Sequence, residues 1–465
     1  MPYYLILTLS FLILGLVPAV AGPVYTKEEA IKIALEKSSS IQEAEQSVKS
    51  ASAQVDQAYG YAYPSVDLSV QYARTFGVSD VQKSSSISEM LDPTAPGVMN
   101  DYILGGVLDG VTYGLNAMKG FRWGTQVGIT ANQVLYAQGK VSTGTKIAKV
   151  YKNLSQTSLE QAKIKVKFEV ETAFDQLIYL DSAVVIFEAS IAQAQKHLDF
   201  VTKSFESGLV GELDWIRAQL QIDELSSGLE STKKKQVLAK NALLNTMGLP
   251  YESEVSFKGD LRDPNEFNPS YPDTSMQSIR KKRNEFRLLE ASEEMYNLNV
   301  KIEQGDYMPT VVLGGSVAYA NGANRWHQWD APHWKDNISK KVYLSLTMNL
   351  FNGLQTRENI TMAKTELRKA QIQKEAAERG IRLELESAVN TLEDAKTQIA
   401  IRTRQINLAS RNLELTEAAY SVGKAPQLDL LDANMSLRNA KLDYMSAVVD
   451  WNAAYNALLK ATGEY

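Results

Sequence analysis

Two rhythms of apolar residues run along the chain. Over most of its length they recur at steps of three and four, and in four short stretches they recur at every second position. The first rhythm is that of a helix with one buried face, the second that of a strand with two unlike faces. Val166, Val170, Ala173, Leu177, Leu180 and Val184 step by 4, 3, 4, 3 and 4, and so do Ile381, Leu385, Ala388, Leu392, Ala395 and Ile399. These are coiled-coil seams. They predict outgoing helices over about 142–206 and 356–421, each followed by a return helix over about 214–247 and 428–462. Shorter helices are expected over about 28–60 and 276–306. A helix over 142–206 would be ~97 Å long at ~1.5 Å per residue, beyond any globular core. Gly208 and Gly423 are placed to end the outgoing helices, and Gly248 and Gly463 the return helices.

The alternating stretches predict strands at about 65–75, 122–134, 309–320 and 340–350. The last is the cleanest, with Val342, Leu344, Leu346, Met348 and Leu350 against Tyr343, Ser345, Thr347 and Asn349. No charge is expected on the apolar faces, and the opposite faces are small or polar, the arrangement of a wall with lipid on one side and water on the other. Tyr63, Tyr136, Tyr307 and Phe351 bracket one end of the set and Tyr72, Trp123 and Tyr319 the other, as aromatic girdles bracket a membrane barrel. A sheet packed on a soluble core shows the same alternation. Here the helices already spend their seams on one another, and no other segment supplies a cover. Four strands cannot close a membrane barrel, so several chains must share one. Two chains give eight strands, whose interior is filled by side chains, whereas three give twelve and leave a bore.

The pattern is duplicated. A constant shift of 215 positions lays residues 135–248 on 350–463, pairing Ala148-Lys149 with Ala363-Lys364, Gly208 with Gly423, Leu213-Asp214 with Leu428-Asp429, and the run Asn241 to Leu244 with Asn456 to Leu459. A weaker match sets Ile41–Pro64 on Phe286–Pro309 at a shift of 245. The chain therefore reads as a first repeat over 22–248, a crossover over 249–275 containing Pro250, Pro264, Pro269 and Pro272, and a second repeat over 276–465. Two copies are too few for a solenoid.

Composition narrows function more than fold. With no cysteine among 465 residues there is no disulfide, thiolate zinc site or cysteine nucleophile. Three histidines, His197, His327 and His333, are too scattered for most metal or triad chemistry. A net charge of -5 leaves no electrostatic footprint for nucleic acid, and no G-x-x-x-x-G-K-[ST] phosphate loop occurs. An enzyme, a cofactor and a resident metal are not expected. Residues 1–21 carry an apolar run, Leu5 to Val17, followed by Pro18, Ala19 and Ala21. They read as a secretory signal cleaved after Ala21, or, since no Lys or Arg precedes the run, as an uncleaved anchor. No later stretch is expected to be apolar enough to span a membrane as a helix. The long connections 76–120 and 321–340, the second with Trp326, Trp329, Trp334, His327 and His333, would face outside the cell.

The duplicated helix-strand-strand-helix-helix plan and the tip sequences YSVGKAPQLDLLDANMSL (420–437) and FESGLVGELDWIRAQL (205–220) resemble the TolC family of outer-membrane efflux and secretion channels, over residues 22–465. The resemblance implies a mainly α protein with a membrane β-region, in which a homotrimer forms a 12-stranded outer-membrane barrel continued by a 12-helix periplasmic tunnel. It implies an outer-membrane exit duct, passive and gated at the helix tips, serving a tripartite efflux pump or a type I secretion system. Its partners would be outer-membrane lipid, a periplasmic membrane-fusion adaptor and an inner-membrane pump of RND, MFS or ABC type. A soluble periplasmic coiled-coil tether is the alternative. Carried over by position, Asp429 and Asp432 match aspartates that ring the closed entrance, and Tyr420 and Asp214 match a pair whose hydrogen bond helps keep it shut. Gly208, Leu209, Gly423 and Lys424 match the turns that meet the adaptor. The family's gate arginine is replaced by Ala425. Asp214 and Asp429 also have a plain structural reading, as caps or dipole partners of the return helices.

Overall fold

The computed structural model describes residues 22–76, 122–251, 255–264, 271–323 and 337–465. The expected signal, most of the two long connections with their tryptophans and His327 and His333, and Pro269 lie outside the described residues. In chain order the elements are β1 (Val24–Tyr25), α1 (Lys27–Lys37), α2 (Ser39–Gly60), β2 (Ser65–Arg74), β3 (Trp123–Ala137), α3 (Lys140–Glu206), α4 (Glu212–Thr246), β4 (Ser256–Phe257), α5 (Met276–Lys282), α6 (Asn284–Gly305), β5 (Thr310–Ala323), β6 (Ile338–Thr347), α7 (Gln355–Ser421) and α8 (Gln427–Thr462). The chain divides into two compact units. One holds the segments up to Ala44, Leu159–Arg283 and Gly380–Tyr465, and the other Glu45–Ser158 and Asn284–Arg379.

In the second unit, β2, β3, β5 and β6 form one antiparallel sheet in the order β2-β3-β5-β6. Register places Leu68, Ile129 and Val317 in one row, and Val66, Ala131, Gly315 and Val342 in the next. This face is bare: Leu68 is 69% exposed, Val342 84% and Leu344 66%. The same face carries Lys340, opposite Val317, which corrects the expectation of a charge-free apolar side. Lys340 stands near the start of β6, where a long stem can lie on apolar surface while its ammonium reaches water. On the polar face Tyr343 donates to Asn132 Oδ1 at 2.8 Å. Its ring lies over Gly314, where a Cβ would sit 2.1 Å from the ring. A bulge between Val134 and Tyr136 turns β3 towards α3. The joints into the outgoing helices match between repeats: consecutive residues Gln138 and Gly139, and Gly353 and Leu354, all have positive φ.

In the first unit Ala30, Ala34, Ile41, Val166, Val170, Phe174, Leu177, Leu243 and Met247 pack as one core. The crossover contributes more than a linker, because β4 pairs in parallel with β1 and brings Phe257 edge-on to Phe174 at 6.0 Å. Lys27 forms a buried ion pair with Asp175. Burial raises the Asp175 pKa, and the Lys27 charge opposes that rise.

Three expectations are corrected here. The helix expected over 28–60 is two helices broken at Ser38, and that over 276–306 is two helices broken at Arg283. Both breaks have extended backbone, with ψ 131° and 127°. The cause lies far away in sequence. Gly248, at the end of α4, abuts the carbonyl of Lys37, and Gly463, at the end of α8, abuts Lys282 and Arg283. The buried Arg283 guanidinium then pairs with Glu384 at 2.9 Å and donates to the Ala461 carbonyl. Third, α3 contains an 18-residue stretch of mean hydropathy 1.5, long and apolar enough to cross a membrane by length and composition. Isolated acids such as Asp181 and Glu188 interrupt its apolar runs, which conceals it from a count of unbroken runs.

Candidate functional site at the hairpin tips

Both outgoing helices stop by the same device. At the α3–α4 turn, Gly208 has φ +73°, its N–H donates to the Phe205 carbonyl and the Leu209 N–H donates to the Ser204 carbonyl. At the α7–α8 turn, Gly423 has φ +73°, its N–H donates to the Tyr420 carbonyl and the Lys424 N–H donates to the Ala419 carbonyl. Each is a Schellman ending, whose left-handed residue glycine adopts without penalty. The turns leave apolar side chains in the open: Leu209 is 79% exposed and Val422 66%, with Leu213 and Leu428 also exposed. Behind them each hairpin is pinned by a small core. Leu198, Val201 and Ala218 close the first, where Phe205 stacks on Trp215, and Leu413, Leu430 and Ala433 close the second, with Tyr420 against them.

The acids sit on the first turns of the return helices. Asp214 and Asp429 are third residues of α4 and α8, and neither caps its helix: the N-cap residues are Gly211 and Pro426, without a side-chain bond. The capping reading is thereby corrected, while the favourable position near the positive helix end stands. Asp214 pairs with Arg217 at 3.7 Å. Asp429 and Asp432 are exposed on α8.

Tyr420 and Asp214 are brought together, but not as a simple bonded pair. Burial raises the Tyr420 pKa, and the Asp214 charge adds to the rise. The hydrogen bonds between the two hairpins run through residues that sequence pattern did not single out. Gln427, the first residue of α8 and 5% exposed, directs its Nε2 to the Asp214 carbonyl at 3.0 Å and to His197 Nε2 at 3.2 Å. The His197 ring meets Tyr420 edge-on at 5.7 Å. Lower on the same seam, Gln193 Nε2 donates to Asn434 Oδ1 at 2.9 Å and to Glu417 Oε1 at 3.3 Å. These residues border a cavity of about 370 Å³ that also meets Gln221, Arg438 and Lys441. Burial lowers the His197 pKa. The missed signal was a lone histidine one residue before the seam position Leu198, since the repeat shift pairs His197 with Asn412 and Gln427 with Glu212.

Nothing at the tips assembles a nucleophile with a base. Among the described residues no three His, Asp or Glu side chains are grouped to hold a metal ion. The tips bring together two turns, exposed acids and a hydrogen-bonded seam between hairpins.

A family model described as outer membrane efflux protein matches residues 30–249 and 276–464. The chain is 26% identical to the outer membrane protein TolC of Escherichia coli over 310 residues, 61% of this chain and 59% of that protein. It therefore spans about three-fifths of that relative. It is 25% identical to TolC of Vibrio cholerae over 354 residues, 71% of this chain and 76% of that one. The solved structure of CusC superposes with a TM-score of 0.74 at 16% identity, covering 95% of this chain and 93% of CusC. With nearly all of both repeats matched, the chain belongs to the outer membrane efflux protein family.

Proposed function

We propose that the protein is a passive exit duct across the outer membrane and periplasm, for small molecules or polypeptides, built from three copies of the chain and gated at the hairpin tips. The observation that carries this reading is the sheet. It has four strands, an apolar face exposed along its length, and two outer strands, β2 and β6, each with a neighbour on one side only among the described residues. Such a sheet is tolerated in lipid only if other copies complete it. Three copies give twelve strands and a bore. The relatives named as TolC and the CusC structure, described in connection with transmembrane channel formation, support the same reading.

Energy enters from a partner, since the chain carries no phosphate loop. An inner-membrane pump of RND, MFS or ABC type, linked by a membrane-fusion adaptor, would load the duct. The exposed turns at Gly208-Leu209 and Gly423-Lys424 are the surfaces offered to the adaptor. Asp429 and Asp432 would be repeated around the axis, where like charges in a narrow, low-dielectric mouth attract cations. Asp214 and Tyr420 belong to the seam that holds the hairpins together.

The test is bilayer conductance of the purified protein with its detergent-corrected mass. A trimeric channel whose block by divalent cations weakens in Asp429→Ala/Asp432→Ala is expected. A conducting channel with unchanged block removes these acids from the constriction. A monomer that needs no detergent removes the duct.

A further inference from the structure

The Gln427 amide spans both hairpins, and its orientation is determined by its partners. One polar end faces the Asp214 carbonyl oxygen, which can only accept, so that end is the NH₂ group. The same nitrogen lies 3.2 Å from His197 Nε2. His197 Nε2 must therefore present a lone pair, and its ring proton sits on Nδ1. Gln427 Oε1 is meanwhile buried without a hydrogen-bond partner. The amide thus holds one acceptor in reserve, in a place where an unmade bond is costly.

We propose that this seam is a proton-operated latch: when His197 takes up a proton at acid pH, the Gln427–Asp214 hydrogen bond breaks and the first turns of α4 and α8 uncouple. A proton on Nε2 would point at the NH₂ of Gln427, donor against donor. Turning the amide over relieves this and lets Oε1 accept a charge-assisted bond from the imidazolium. The turned amide then sets oxygen against the Asp214 carbonyl. The amide can serve Asp214 or protonated His197, but not both.

The groups facing His197 from every packed element allow this. On α4 Asp214 is held by Arg217. On α7 stand Tyr420 and Glu417, and on α8 Arg438 and Lys441 border the same cavity, while no other titratable side chain of α3 does. Loss of hydration is the cause of the lowered His197 pKa, so the ring is neutral at pH 7.5 and charges below the ordinary histidine range of about 6.5. As control of a channel, the latch rests on the reading of the tips as a gate. As a structural switch it stands without that reading.

The test is amide hydrogen exchange on the full-length protein in detergent, stepped from pH 7.5 to 4.5 and corrected for the intrinsic pH dependence of exchange. Protection of residues 215–217 and 430–432, the first amides bonded within the two helices, should fall roughly three- to tenfold on acidification, the factor carried by one net hydrogen bond. His197→Gln, which cannot charge, should hold its protection throughout, and Gln427→Leu should start low at pH 7.5. An unchanged profile in the wild type, an acid-induced fall in His197→Gln, or full protection in Gln427→Leu would each overturn the proposal. Should His197→Gln fail to assemble, the wild type and Gln427→Leu still decide. The same samples in bilayers separate the two readings: absence of any channel sinks the duct, whereas a channel with pH-independent tips and flat exchange sinks the latch alone.

Discussion

The close approach of each return helix to the break in a preceding helix can be weighed by comparing glycines with one backbone conformation and different surroundings. Gly208 and Gly248 both have φ +73°, so replacement by alanine costs each the left-handed penalty of roughly 1–2 kcal/mol. At Gly208 the added Cβ meets nothing within 4 Å, and the cost ends there. At Gly248 it would lie 2.3 Å from the Lys37 carbonyl oxygen and 2.8 Å from its carbon. Ordinary carbon–oxygen contact is about 3.3 Å, so backbone must shift by about 1 Å in a packed core, a strain of roughly 1–3 kcal/mol. Gly248→Ala should thus destabilise the protein by about 1–3 kcal/mol more than Gly208→Ala. That is roughly 5- to 150-fold in the folding equilibrium. Gly463→Ala should fall between them, because its nearest atom is the Lys282 Cβ at 2.9 Å. Many large proteins unfold irreversibly, so the comparison belongs in unfolding rates in denaturing detergent, followed by far-UV circular dichroism. Equal acceleration in Gly208→Ala and Gly248→Ala would mean that φ alone matters and that α4 does not press on the break at Ser38.

Three other single substitutions and one double variant probe the separate units. Lys27→Met strands the Asp175 carboxylate, whose side chain is 4% exposed, and should cost about 3–5 kcal/mol; the double variant Lys27→Met/Asp175→Leu should recover most of that loss in the same unfolding assay, and failure to recover would make the ion pair a net source of stability. In the sheet, Tyr343→Phe removes one bond to Asn132 for about 1 kcal/mol. Gly314→Ala drives a methyl into the Tyr343 ring and should lower the yield of the proposed trimer, read as native mass in detergent, more strongly; equal yields would show that the ring does not lie over Gly314.

What could be read from sequence was local. Val342, Leu344 and Leu346 announce a strand because period two is visible within five residues, and the seams at Val166 and Ile381 announce helices for the same reason. Gly208 and Gly423 announce their turns because a left-handed residue needs glycine wherever it occurs. The breaks at Ser38 and Arg283 stayed hidden because neither residue is a breaker. Their geometry follows from glycines some 200 positions away, and appears only once the chain is folded. The pairing of β1 with β4 was hidden because two-residue strands carry no period. At the tips, likeness to a family singled out the acids and Tyr420, while His197 and Gln427 drew no notice because the repeats do not share them. Lys340 shows the limit of alternation as a guide, since a long cation near a strand end can occupy an apolar register.

The sheet with two half-paired outer strands also bears on how the molecule comes into being. The hairpins bury their seams within one chain and can form as soon as it is made, whereas on the proposed reading β2 and β6, each with a neighbour on one side only among the described residues, are completed when sister chains arrive. Maturation is then ordered in time: rods first, wall last, with the final step second or higher order in chain concentration and dependent on a bilayer to receive it. A newly exported copy that meets neither sisters nor lipid carries two adhesive strand borders and a greasy panel, and escorting it to the membrane becomes a requirement of the cell rather than of the fold.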